Sequence, residues 1–227
     1  MARRHAVFLA IGLMVLIVLA GAFGCDGTLQ QLVTSASTSR PAAEADPNDP
    51  DKRRASIVEW SGKSWGLKEP YTAYYAASLR KDNDALVRSA AAGALGQTHD
   101  AKYVGNLAAA LEDASPQVRW DVAQALDDLP GKAAIGPLQK HATEDESADV
   151  RASCARALRH YGSNEVGKTL LMCLADDDFA VRHQAHATLV ELSSGRDVGF
   201  NARDWEKALE NESSPKASTR PWWQWSK

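Results

Sequence analysis

His183 and His186 stand three residues apart, a spacing that on a helix could present two imidazoles to a metal. No third ligand is in view, so no metal site is expected. Cys154 and Cys173 suit two small buried hydrophobes, or a disulfide in an oxidising compartment, and no cysteine pair has zinc-like spacing. A Gly-rich phosphate loop, a nucleophile elbow and a coherent Ser-His-Asp arrangement are all missing. The chain therefore reads as a non-enzyme with no catalytic residue and no cofactor. What recurs is a guanidinium. Arg88, Arg119, Arg151 and Arg182 each follow a valine, and five residues before each valine stands Asp82, Asp113, Asp145 or Asp176. Four arginines could form a basic stripe for phosphates. Because every copy brings its own carboxylate, pairing is the better reading.

The elements that hold these residues repeat with them. Val87, Val118, Val150 and Val181 are 31, 32 and 31 residues apart. Three residues earlier come Asp84, Ser115, Ser147 and Asp178, all helix N-cap types, and Pro116 fits the first helical position. Eight residues later come Leu95, Leu126, Leu158 and Leu189, with small residues between, so each copy has a narrow buried stripe. A weaker helix with Leu107, Leu138 or Leu170 precedes three of the copies, and "YTAYYAASLRKD" fills that slot in the first. One such hairpin cannot bury its own stripe, and stacked neighbours can. The expected fold is all-α: a right-handed α-solenoid of about four helical hairpins with helical caps.

These units resemble HEAT repeats, in particular the short HEAT-like type of phycobilisome-lyase-like proteins, whose second helix opens with an acid, a short gap and Val-Arg. The resemblance covers roughly residues 70 to 195, with repeats at about 70–99, 100–131, 132–163 and 164–195. It implies a ladder between successive repeats, built here from Asp82, Arg88, Asp113, Arg119, Asp145, Arg151, Asp176 and Arg182. The ankyrin and tetratricopeptide patterns are absent. Deoxyhypusine hydroxylases, also HEAT-repeat proteins, use His-Glu pairs as iron ligands, and none of the six histidines here precedes a Glu. The fold alone leaves function open.

On a helical wheel, positions two, six and nine residues after each valine face away from the buried stripe. They read Ser89, Gly93, Gly96; Trp120, Gln124, Asp127; Ala152, Arg156, Arg159; and His183, Ala187, Val190. An outward Trp is typical of an interface anchor. Trp120, Gln124, Asp127, Arg156, Arg159 and His183 are therefore the expected contacts for a protein or peptide on the concave face. An accessory or lyase-like activity on a small molecule, or a plain envelope spacer, are the alternatives. A net charge of −3 argues against nucleic acid as partner.

Before the repeats, two arginines precede an apolar run from Ala6 to Phe23, so residues 1–25 read as a signal peptide or membrane anchor. "AFGC" partly resembles a bacterial lipobox with Cys25 as the lipidated residue. A lipoprotein and an uncleaved anchor both put the repeats on the extracytoplasmic side of the membrane. Residues 26–54 are poor in apolar side chains and read as a flexible linker. The repeat domain is expected over 55–210, closed by a cap at 196–210 in which Ala202, Trp205 and Leu209 share a face. The Trp-rich tail, 211–227, could cover the end of the stack, sit at a lipid interface or anchor a partner.

Overall fold

The computed structural model describes Pro41 and residues 45–213. Cys25, the apolar run and Trp222, Trp223 and Trp225 lie outside the described residues. From Pro50 on, ten α-helices follow one another among the described residues: α1 (Pro50–Ser61), α2 (Tyr71–Lys81), α3 (Ala85–Gly96), α4 (Val104–Ala110), α5 (Pro116–Asp128), α6 (Ile135–Glu144), α7 (Ala148–Ala157), α8 (Ser163–Cys173), α9 (Phe179–Leu192) and α10 (Ala202–Ser213). Single 3-10 turns lead into α4 and α6, and another, Leu158–His160, ends α7. There is no strand among the described residues.

Helices α2/α3, α4/α5, α6/α7 and α8/α9 pair as hairpins, and the hairpins stack side by side into an α-solenoid. The periodic residues explain why. All four aligned valines and all four leucines eight residues later are fully buried, in one continuous core. Each leucine contributes about 1.5–3 kcal/mol by leaving water, which only the neighbouring repeat makes possible. The second helices α3, α5, α7 and α9 pack closely on one another, whereas α2, α4 and α6 meet more sparsely. A stack with one layer drawn tighter curves toward it, so the second helices line the concave side.

Helix starts follow two schemes. Asp84 and Asp178 accept bonds from the first turn of their helices, with Asp84 Oδ1 taking the N–H groups of Leu86 and Val87 at 2.9 and 3.1 Å. Ser115 and Ser147 have the extended N-cap backbone, but their hydroxyls make no cap bond. At all four starts the N-cap residue's own N–H donates to the acid two residues back, Asp82, Asp113, Asp145 or Asp176, at 2.8–3.0 Å.

The ends of the stack differ from expectation. Helix α1 starts at Pro50 behind an Asp49 cap, so the last residues assigned to the linker are helical. It packs on α3 in the position of a second-type helix. At the other end α10 packs on α8 as a first-type helix. Asn201 Oδ1 accepts the Arg203 N–H, Trp205 is fully buried, and the helix runs on to Ser213, past the expected boundary.

Two wheel positions are also corrected. Ser89 and Gly96 do not face the groove; both are buried. The reason is the tight α3–α5 contact, which small side chains allow. A methyl at Gly96 would lie 3.0 Å from both Cα and Cβ of Ala125 and 3.2 Å from its carbonyl oxygen, whereas one at Gly93 would meet nothing within 4 Å. Gly96→Ala should therefore destabilise the domain by about 1–3 kcal/mol through overpacking. Gly93→Ala should stabilise it by roughly 0.5–1 kcal/mol, because a helical glycine is replaced without a clash. Urea unfolding of the two variants checks this; equal midpoints would refute the close approach.

Candidate functional site

The ladder is built identically at each repeat boundary. Arg88 Nε and Nη2 donate to Asp113 Oδ2 and Oδ1 at 2.7 and 2.8 Å. Arg119 meets Asp145 at 2.8 Å twice, and Arg151 meets Asp176 at 2.8 and 2.9 Å. Each arginine pairs with the acid of the following repeat, in the two-pronged geometry that matches a planar guanidinium to a carboxylate. The remaining nitrogen, Nη1, turns back to its own repeat and donates to the carbonyls of Asp82, Asp113, Asp145 and Asp176 at 2.7–2.9 Å.

Asp82 has a partner that sequence reasoning missed. Arg53 on α1 donates to it twice at 2.9 Å, and its Nη1 reaches the Pro47 carbonyl, six residues back as in every repeat. The signal was present: Asp49-Pro50 stands four residues before Arg53 as Ser115-Pro116 stands before Arg119. His141 was missed too; its Nδ1 lies 2.9 Å from Asp145 Oδ2, making that rung the most heavily bonded.

Burial by itself would push the Asp113 and Asp145 carboxyls up. The arginine bonds and the backbone N–H groups of Ser115 and Ser147 outweigh it, and both stay below the ordinary value of 3.8. At Asp176 the Arg151 bond is the leading cause and the direction is the same.

The expected partner-binding residues fall into two groups. Asp127, expected to point outward, is buried. Its carboxylate is wrapped by α7 and the 3-10 turn that follows: Arg156 Nε at 3.1 Å, Arg159 Nε at 2.9 Å, Arg159 Nη2 at 3.1 Å and His160 Nε2 at 2.9 Å. The 3-10 turn shifts Arg159 and His160 off the α-helical wheel and toward α5, and so converts an exposed acid into a covered one. Two guanidiniums on one carboxylate leave a positive surplus, and Arg156 keeps a half-exposed side chain. Trp120, on the same helix as Asp127, is partly buried against the core. Gln124 lies between them, half-buried. His183 is exposed on α9, with its ring 5.8 Å from that of Phe179, and has no recorded bond to the Asp127 cluster.

The residues first suspected of chemistry are dispersed. His186 Nε2–H donates to Asp197 Oδ1 at 2.8 Å, and its ring stacks on Phe200 at 4.3 Å, a contact that seats the α10 cap. Cys154 and Cys173 are free and buried; burial raises both thiols, Cys173 to about 12. Neither forms a thiolate nucleophile at neutral pH. Among the described residues no three His, Cys, Asp or Glu side chains converge to hold a metal. The surface clefts include one of about 360 Å³ between α2 and α4, lined by Ala76, Gly105 and Ala109, and one of about 300 Å³ around the Arg119–Asp145 rung.

Stacked helical hairpins with a shared core and a periodic salt-bridge ladder define the chain as a helical-repeat solenoid. The profile of HEAT repeats matches residues 75–159 and again residues 106–190, two registers offset by one repeat. The chain belongs to the HEAT-repeat family. A comparison with curated proteins gives no match.

The ladder makes the domain acid-sensitive in a stated direction. Its carboxyls have lower pKa values folded than unfolded, so the unfolded chain binds more protons near pH 4. Stability is complete above the unfolded value and is lost as pH falls through the folded values. The melting temperature should be nearly flat from about pH 7 to 5 and drop below about pH 4, followed by circular dichroism. Asp145→Ala, which strands Arg119 in a buried site, should cost about 3–5 kcal/mol in urea unfolding. A loss under about 1 kcal/mol would mean that the rung behaves as a surface pair.

Proposed function

We propose that this HEAT-repeat scaffold captures a protein or peptide on its concave face, and that it works tethered to the extracytoplasmic side of a membrane. The observation that supports capture is the Asp127–Arg156–Arg159–His160 cluster beside a half-buried tryptophan. Arg156 and Arg159 hold their geometry through a buried acid, so little side-chain freedom remains to be lost when a partner arrives. Their surplus charge suits a carboxylate-bearing segment, and Trp120 supplies an apolar anchor one helix turn and more away. The small residues of α3, Ala90 and Gly93, leave room beside them for a chain to lie across the repeats.

Tethering is supported by the sequence from Ala6 to Phe23 with its flanking arginines. Lipidation at Cys25 and an uncleaved anchor lead to the same placement. No described helix is long and apolar enough to cross a membrane. The face that recognises the partner is then distinct from the segment that holds the protein in place.

A photo-reactive residue at Gln124 in the full chain, activated in native membranes, tests the capture. Discrete adducts should form, and Arg156→Glu or Trp120→Ala should deplete them in proportion to a loss of about 2 kcal/mol of affinity or more. Adducts identical in all three chains would remove the concave face from consideration. Alkaline carbonate extraction tests the tether: the protein should stay in the membrane pellet, and its release to the supernatant would overturn that half of the reading.

A further inference from the structure

Every rung of the ladder but the last is closed. Arg182 on α9 makes the same back-bonds as the others, Nη1 to the carbonyls of Asp176 and Asp177 at 2.7 and 2.8 Å. Its Nε and Nη2 point where Arg53, Arg88, Arg119 and Arg151 each grip an acid from the next unit. Among the described residues Arg182 is bonded to these two backbone carbonyls and makes no ion pair with a side-chain carboxylate. Beside it stands Phe179, 65 % exposed, with the Arg182 guanidinium 5.7 Å from its ring centre. A half-buried stack face thus ends in an unclosed two-pronged carboxylate receptor and a bare aromatic. Each other second helix has that face covered by the next second helix.

The chain that follows carries what the face lacks. Helix α10 packs on α8 in the first-helix position, and in each earlier unit a second helix follows the first in sequence. Glu212 stands two residues before Ser214-Pro215, as Asp113 stands two before Ser115-Pro116 at the start of α5. Arg182 and Glu212 are 30 residues apart in sequence, longer than the 25 or 26 of the three inner rungs and near the 29 of the other terminal rung, Arg53 to Asp82. Trp222, Trp223 and Trp225 follow in the sequence.

We propose that residues 212–227 close the stack: Glu212 supplies the last rung to Arg182, and the tryptophans of the tail cover Phe179 on the open face of α9. The tail is a terminal unit of the solenoid, a counterpart to α1 at the opposite end. Its tryptophans bury apolar surface that a regular repeat would bury with valine and leucine.

Hydrogen exchange in the detergent-solubilised full chain reads this directly. In the intact protein the amides of the first two turns of α9 should be protected. Ending the chain after Ser213, or Trp222→Ala, Trp223→Ala and Trp225→Ala together, should speed their exchange roughly tenfold while α5 is unchanged. Arg182→Glu should do the same, and adding Glu212→Arg should restore protection, which a tail held by the tryptophans alone would not show. Exchange of α9 that is indifferent to truncation overturns the proposal. So does protection that disappears on dilution, because a second copy of the chain would then be the occupant, and so does failure of the charge swap to restore it.

Discussion

One guanidinium at each repeat boundary ties three things together. Two of its nitrogens grip the acid of the next repeat, and the third bonds a carbonyl at the entry to its own second helix. The gripped acid in turn accepts the N–H two residues on, just before the next second helix begins. A single arginine therefore sets the distance between repeats and the angle at which the next chain turn leaves. Burying such a pair carries a desolvation cost, so its net stabilisation is modest; what it supplies is register, since a slip by one residue would leave a buried charge unpaired. The apolar stripe provides the driving force and cannot by itself choose among neighbouring registers.

Small residues then decide how the stack bends. The contact between α3 and α5 at Gly96 and Ala125 lets two second helices approach until their backbones nearly touch. The first helices meet more sparsely, and a cleft lined in part by Ala76, Gly105 and Ala109 opens between α2 and α4. Curvature thus follows from the closer packing of the second-helix layer. The same tightness takes Ser89 and Gly96 out of the groove and moves the accessible floor toward Ala90 and Gly93.

The stripe, the period, the paired acids and the identity of the family were all readable from sequence, because each depends on local spacing repeated four times. The misreadings have one origin. A helical wheel treats a helix as an ideal rod with one neighbour. Asp127 lies on the outward side of α5 by that rule, but the 3-10 turn after α7 swings Arg159 and His160 over it. Arg53 was hidden for a related reason: α1 keeps the cap, the proline and the arginine of a second helix, yet Lys52 stands where the marker valine should be. A search keyed on the hydrophobic pattern passes over a unit that retains only the polar one.

That division of labour bears on where recognition can reside. Residues in the ladder and the stripe are each committed to two repeats at once, so changing one disturbs a boundary. The polar concave positions of α5 and α7 are tied mainly to each other: Asp127 is held by Arg156 of α7 and by Arg159 and His160 of the turn that follows, and Arg156 keeps half its surface in solvent. In a stack that is stabilised boundary by boundary, such a pair of helices can vary its exposed chemistry without loosening the rest. Among the described residues Asp127 is the one carboxylate bonded to Arg156 and Arg159, and a structural role would have needed only one arginine for it. The second guanidinium is the part of the cluster that the architecture does not require, and it is the part that faces outward.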